Sequence, residues 1–138
     1  AYRLDRTPAP PARRTRGRVS DELATLRVRE RGGIVLAVVE GEIDLSNAPG
    51  LQGELTAAVP NSAGGLLLDL TGIEFLDSSG VHMLYDIADR LATRQQRFAV
   101  VLEANAPPRR AIELSGVEPA AWLHTDQSAA LAAIGGPS

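Results

Sequence analysis

The chain has 138 residues, with 44% apolar and 22% charged side chains and a net charge of −3. That is the size and composition of one globular domain, and of neither a disordered nor a membrane-inserted chain. The absence of cysteine excludes disulfides, thiolate metal ligands and cysteine nucleophiles.

Charge is unevenly spread. Residues 1–20, AYRLDRTPAPPARRTRGRVS, hold six arginines against one aspartate, and with that +5 set apart residues 21–138 carry −8. Pro8, Pro10 and Pro11, with few large apolar groups, leave this segment too little surface to bury for an ordered structure. It is expected to be a flexible basic tail, with one folded domain over 21–138. An arm of this kind suits nucleic acid or an acidic partner, but only Tyr2 interleaves an aromatic ring, so a solvated leader without direct nucleic-acid contact is the plainer expectation. No apolar run approaches the roughly 20 residues that span a bilayer. The amino terminus has no charged-then-apolar secretory pattern, which makes the cytoplasm the expected compartment, away from membrane.

From residue 21 the pattern changes. Ala24, Leu26 and Val28 alternate with Thr25, Arg27 and Arg29, as in a half-exposed strand. Gly32-Gly33 supplies a turn into a β-branched run, Ile34 to Val39, which predicts a hairpin. In GEIDLSNAPG, Ser46 or Asn47 is placed to cap a helix whose first turn takes Pro49. Leu51, Leu55, Ala58 and Val59 follow at helical spacing, and Pro60-Asn61 ends the element. Gly65 to Leu70 is short, largely apolar and bounded by turn residues, as expected of a central strand covered on both faces. Val81, Leu84, Ala88 and Leu91 predict a helix to about Thr93. Phe98 to Leu102 is the next strand, and two prolines after Asn105 open a helix carrying Ala111, Ile112 and Leu114, with Gly116 placed to close it. Trp122 to His124 reads as a short last strand, and Thr125 or Asp126 as the cap of a final helix through Leu131 and Ile134. The order ββαβαβαβα predicts an α/β fold: a mixed, mostly parallel sheet with an opening hairpin and about four packing helices.

Residues 75–84, FLDSSGVHML, place Asp77, Ser78, Ser79 and Gly80 where a strand hands over to a helix. One of the three polar residues is expected to cap the helix, and Gly80 to keep the approach uncrowded. A nucleophilic Ser78 or Ser79 would need His82 as base and Asp77 as orienter. The glycine-flanked elbow of such serines is absent, since Leu76 and Asp77 precede Ser78. His82 and His124 are 42 positions apart without metal-ligand spacing. The pairs Gly32-Gly33, Gly64-Gly65 and Gly135-Gly136 are not nucleotide-binding fingerprints, and no GxxxxGK[ST] run exists. Glu42 and Asp44 resemble an acid/base pair, but acids before a helix ordinarily serve its dipole. Neither an enzyme nor a cofactor or metal site is expected. A phosphoacceptor needs less: an exposed serine at a helix amino end, where backbone donors tolerate a phosphate, and a partner surface that rejects the added charge.

The stretches GEIDLSNAPGLQGEL, LLLDLTGIEFLDSSGV and IELSGVEPAAWLHTDQSAALAAI together resemble the anti-sigma factor antagonists of the STAS domain family, from about residue 21 to 135. The resemblance implies the mixed sheet already read from the pattern, and a partner-switching function. Such antagonists, unphosphorylated, bind an anti-sigma factor that is also a serine kinase, and so release a sigma factor for transcription. The kinase phosphorylates the serine after the motif's aspartate, here Ser78, and a serine phosphatase reverses it. Asp44 and Asp77 match the family's acids, Ser79 occupies a position also taken by threonine, and with Gly80 and His82 these residues are expected at the partner contact. His82 departs from the second glycine of the family pattern D-S-[ST]-G-L-G. ATP belongs to the kinase, so the chain itself needs no cofactor. Two alternatives are a STAS module in a stress-signalling scaffold or lipid-transport assembly, and a small serine hydrolase using Ser78 or Ser79 with His82.

Overall fold

The alternating segment and the β-branched run form a hairpin of β1 (Ala24–Arg31) and β2 (Ile34–Ile43), paired antiparallel from Ala24 opposite Gly41 to Arg31 opposite Ile34. Gly32 and Gly33 turn the chain with φ of +61° and +85°, the left-handed pair that a two-residue hairpin loop requires. These elements belong to a computed structural model that describes residues 23–114 and 120–135. The basic segment 1–20 and Gly116 lie outside the described residues.

Five strands make one sheet in the order β1-β2-β3-β4-β5, with β3 (Gly65–Leu76), β4 (Arg97–Val101) and β5 (Leu123–His124) each parallel to the strand before. The mixed sheet and the central position of β3 agree with the pattern. β2 and β3 are longer than the apolar runs suggested, because the ladder between them shifts register at Val38/Glu40 and again at Gly41/Glu42. Each irregularity admits an extra residue and breaks the period of two without ending the strand. Gly41 sits at φ +114°, and a Cβ there would lie 2.0 Å from the Leu23 carbonyl oxygen, so only glycine fits this kink.

Four helices complete the domain among the described residues: α1 (Ala48–Ala57), α2 (Ser78–Thr93), α3 (Pro107–Glu113) and α4 (Gln127–Ile134). Because neighbouring strand residues point to opposite faces, Leu66, Leu68 and Leu70 join the larger core with Leu55 of α1, Leu84, Ile87 and Leu91 of α2 and Ile112 of α3. Leu67 enters a smaller one with Leu36, Ala99 and Val101 under Ala130 and Ile134 of α4. Three helices thus cover one face and one covers part of the other. Asp126 caps α4 by accepting from the Ala129 N–H at 2.8 Å. Trp122 lies in a 3₁₀ turn (Ala120–Trp122) rather than a strand, and its ring packs within 5.4 Å of Tyr85 and 5.3 Å of Phe98.

Candidate functional site at the carboxyl end of β2 and β3

The parallel ladder ends at Ile43 opposite Leu76, and the Asp77 N–H then donates to the Ile43 carbonyl at 3.2 Å. That bond makes two chain segments leave the sheet side by side: residues 44–47 on the way to α1, and residues 77–80 opening α2. Asp44 and Ser78, thirty-four positions apart in sequence, each stand one residue beyond it.

The first segment is braced internally. The Asp44 N–H donates to Asn47 Oδ1 at 2.9 Å, and Asn47 Nδ2 donates to the Glu42 carbonyl at 2.9 Å. Asn47 therefore stands at the N-cap position of α1 without capping it. Its amide faces back into the loop, where it is 2% exposed, because a buried amide is satisfied best by two backbone groups that would otherwise lack partners. The sequence expectation that Ser46 or Asn47 caps the helix is corrected: Ser46 also turns backward, giving its hydroxyl (2.6 Å) and N–H (2.9 Å) to Asp44 Oδ1. The Ser46 hydroxyl first, then the Ser46 N–H, hold the Asp44 carboxyl below the ordinary aspartate range, so it is ionised at neutral pH.

In the second segment Asp77 is the cap. With φ −95° and ψ −171°, it accepts from the Ser79 N–H at 2.8 Å and the Gly80 N–H at 3.2 Å, satisfying two of the four orphan donors of α2. Ser78 is the first helical residue and is exposed, whereas Ser79 is half-buried. No hydrogen bond joins the Ser78 hydroxyl to another described residue. Gly80 is buried, and a Cβ there would lie 2.4 Å from Leu76 Cδ1 and 3.1 Å from Ile43 Cγ2. Its function is therefore inward: it lets the helix start close against the sheet, rather than clearing an approach from solvent as the sequence suggested.

Asp44, Asp77, Ser78 and Ser79 come together at this end of the sheet, and His82 lies exposed one helical turn beyond Ser78. The nucleophile arrangement is not assembled. Asp77 is engaged with backbone donors, and no hydrogen bond links His82 to either serine among the described residues. No group of three or more metal-ligating side chains occurs among them, and no helix there is long and apolar enough to cross a membrane. Sequence reasoning passed over two exposed apolar side chains at the same place, Leu45 at 71% and Phe75 at 48%. Leu45 carried a signal, being a large apolar residue inside a polar turn. Phe75 carried none, because IEFL reads as an ordinary core run.

The STAS domain family model matches residues 25–130. The anti-sigma-F factor antagonist RsfB of Mycobacterium tuberculosis is 29% identical over 112 residues, 81% of this chain and 90% of that protein. Among solved structures, an anti-sigma factor antagonist from Mycobacterium paratuberculosis is 33% identical, with a TM-score of 0.71 over 80% of this chain and 93% of that one. The antagonist SpoIIAA in its unphosphorylated form is 17% identical, with a TM-score of 0.66 over 82% of this chain and 98% of its own. The Bacillus SpoIIAA in its phosphorylated form is 18% identical, with a TM-score of 0.58 over 77% and 96% of the two chains. The likeness to SpoIIAA is one of fold alone.

Proposed function

The chain belongs to the STAS domain family, and on that footing we propose that it is an anti-sigma factor antagonist whose docking is switched by phosphorylation of Ser78. In this reading residues 21–138 are the STAS domain and 1–20 an appended basic segment. Unphosphorylated, the domain binds an anti-sigma factor with serine kinase activity and frees a sigma factor for transcription.

The observation that carries the reading is the Ser78 side chain: exposed, bonded to no described residue, and mounted on a helix start that Asp77 holds rigid. A kinase can take this hydroxyl into its own active site without unfolding anything. The Ser78 oxygen attacks the γ-phosphorus of ATP, its proton passes to a base of the kinase, and ADP leaves. Asp77 already occupies the Ser79 and Gly80 donors, so the new phosphate projects outward.

It brings about −1.5 to −2 charges to a surface where Asp44 and Asp77 are already acidic. A partner fitted to a neutral hydroxyl must then bury a dianion or oppose it to like charge, at a cost of several kcal/mol. Asp44, Asp77, Ser79 and His82 line or frame the contact, and Gly80 positions the helix that carries them. A serine phosphatase restores the binding form. That SpoIIAA, a protein of this fold, is known in unphosphorylated and phosphorylated forms supports the reading.

The test is incubation with ATP and purified kinase-type anti-sigma factors, followed by mass mapping and binding measurements. Modification falls on Ser78. Ser78→Ala binds but is not modified, and Ser78→Asp does not bind. Equal binding by wild type and Ser78→Asp overturns the switch and favours a scaffold, while ester turnover dependent on His82 favours a hydrolase.

A further inference from the structure

Among the described residues, three large apolar side chains are exposed, namely Leu45, Phe75 and Leu114. Two of them flank the rung at which β2 and β3 stop pairing: Leu45 is two residues past Ile43, and Phe75 is one residue before Leu76. Phe75 is paired in register with Glu42, so it stands on the opposite sheet face from its buried neighbours Ile73 and Leu76. Leu45 is held out by the turn itself. Asp44, Ser46 and Asn47 are all bonded within residues 42–47, and Leu45, the one exposed large apolar side chain among them, faces water. Neither side chain belongs to either hydrophobic core.

The chain segments that carry them are acidic. Residues 40–48 and 71–82 contain the acids Glu40, Glu42, Asp44, Glu74 and Asp77 and no arginine, and Arg27 of β1 reaches only Glu40, at 3.8 Å. Two apolar side chains inside an acidic rim are the composition of a docking surface: a desolvated centre that supplies affinity, and a charged border that supplies orientation and encounter rate.

Resting on the function proposed above, we infer that Leu45 and Phe75 are the anchors by which the domain grips its kinase partner, and that this partner presents apolar sockets bordered by arginine or lysine. Ser78 then acts as a gate on a contact whose affinity is generated beside it. The division of labour is physical. The anchors contribute by losing water whatever the phosphorylation state, whereas the phosphate opposes closure of the acidic rim over them.

Leu45→Ala and Phe75→Ala should each weaken binding of the unphosphorylated full chain to the anti-sigma kinase by about tenfold to a hundredfold, the range set by the apolar surface removed. Leu114→Ala, at the far end of α3, should leave it unchanged. Titration calorimetry with a panel of purified kinase-type anti-sigma factors, each loaded with ADP, reads the affinity. At 71% exposure Leu45 is dispensable for folding, so Leu45→Ala remains decisive even if Phe75→Ala is destabilised. The salt dependence of binding should be steep, as a basic border requires.

If Ser78→Asp abolishes binding while Leu45→Ala and Phe75→Ala bind as wild type, the anchor inference fails and the switch survives. If Ser78→Asp binds like wild type, or no kinase binds the wild type, both fail. Sedimentation of the full chain covers the remaining occupant: a dimer that Leu45→Ala dissociates assigns the patch to a second copy and overturns the inference.

Discussion

Replacing Gly80 by alanine tests whether close packing at the start of α2 outweighs helix propensity. Alanine in a helix is favoured over glycine by roughly 1 kcal/mol. Gly53, in α1, gives the reference, since a Cβ there meets nothing within 4 Å and Gly53→Ala should collect that gain. At Gly80 the same Cβ would come within 2.4 Å of Leu76 Cδ1, 3.0 Å of Leu76 Cγ and 3.1 Å of Ile43 Cγ2. Leu76 is 5% exposed and Ile43 fully buried, so neither can swing away without disturbing the core. Overpacking of this kind costs about 1–3 kcal/mol. The difference between the two variants isolates that cost, because both replace a helical glycine by alanine. With about 4 °C per kcal/mol for a domain of this size, Gly80→Ala should melt roughly 4–12 °C below Gly53→Ala in parallel thermal scans. Ser78 should also become a poorer kinase substrate, since the helix start must move away from the sheet. A Gly80→Ala protein that melts as high as Gly53→Ala would refute the packing account of the motif's glycine.

Three further outcomes follow from the same geometry. Asp77→Ala should cost about 0.5–2 kcal/mol in urea denaturation through loss of the cap, while Asp77→Asn, which keeps an acceptor for Ser79 and Gly80, should cost distinctly less. Gly41→Ala forces a side chain into a left-handed kink against the Leu23 carbonyl and should destabilise by at least about 2 kcal/mol, read from the same curves. Asp44 has a folded pKa below its ordinary 3.8, so its contribution to stability is full above that value and fades as pH falls through the lower folded one. Ser46→Ala should raise the Asp44 titration midpoint in carboxyl NMR and flatten this acid dependence.

The hairpin, the central strand and the helix order were legible because each rests on local chemistry: alternation in β1, the glycine pair at 32–33, the leucine-rich start of β3. The far ends of β2 and β3 were not, because two register shifts destroy the period that would announce them, and Gly41 looks like a strand terminator when it is a kink within one. The Asp-Ser-Ser-Gly turn was placed correctly, and its cap lies within the residues expected to supply it. What could not be read was the direction each polar group faces. Asn47 has the right type and position for a cap, yet its amide turns to Glu42 and Asp44, a choice fixed by β2 continuing to Ile43. Gly80 likewise has the composition of an open turn and the surroundings of a core position.

The hairpin's first strand is also the rim of the sheet, pairing with β2 on one side and with no described strand on the other. A long strand whose outer edge is open is a template for another copy. If two such strands met antiparallel about Val28, Arg27 of each would sit directly across from Arg29 of the other, a placement that repels. The arginines that gave β1 its alternating signature thus discourage edge-to-edge growth of the sheet. A domain proposed to exchange partners at the neighbouring ends of β2 and β3 is thereby discouraged from pairing with a second copy along β1.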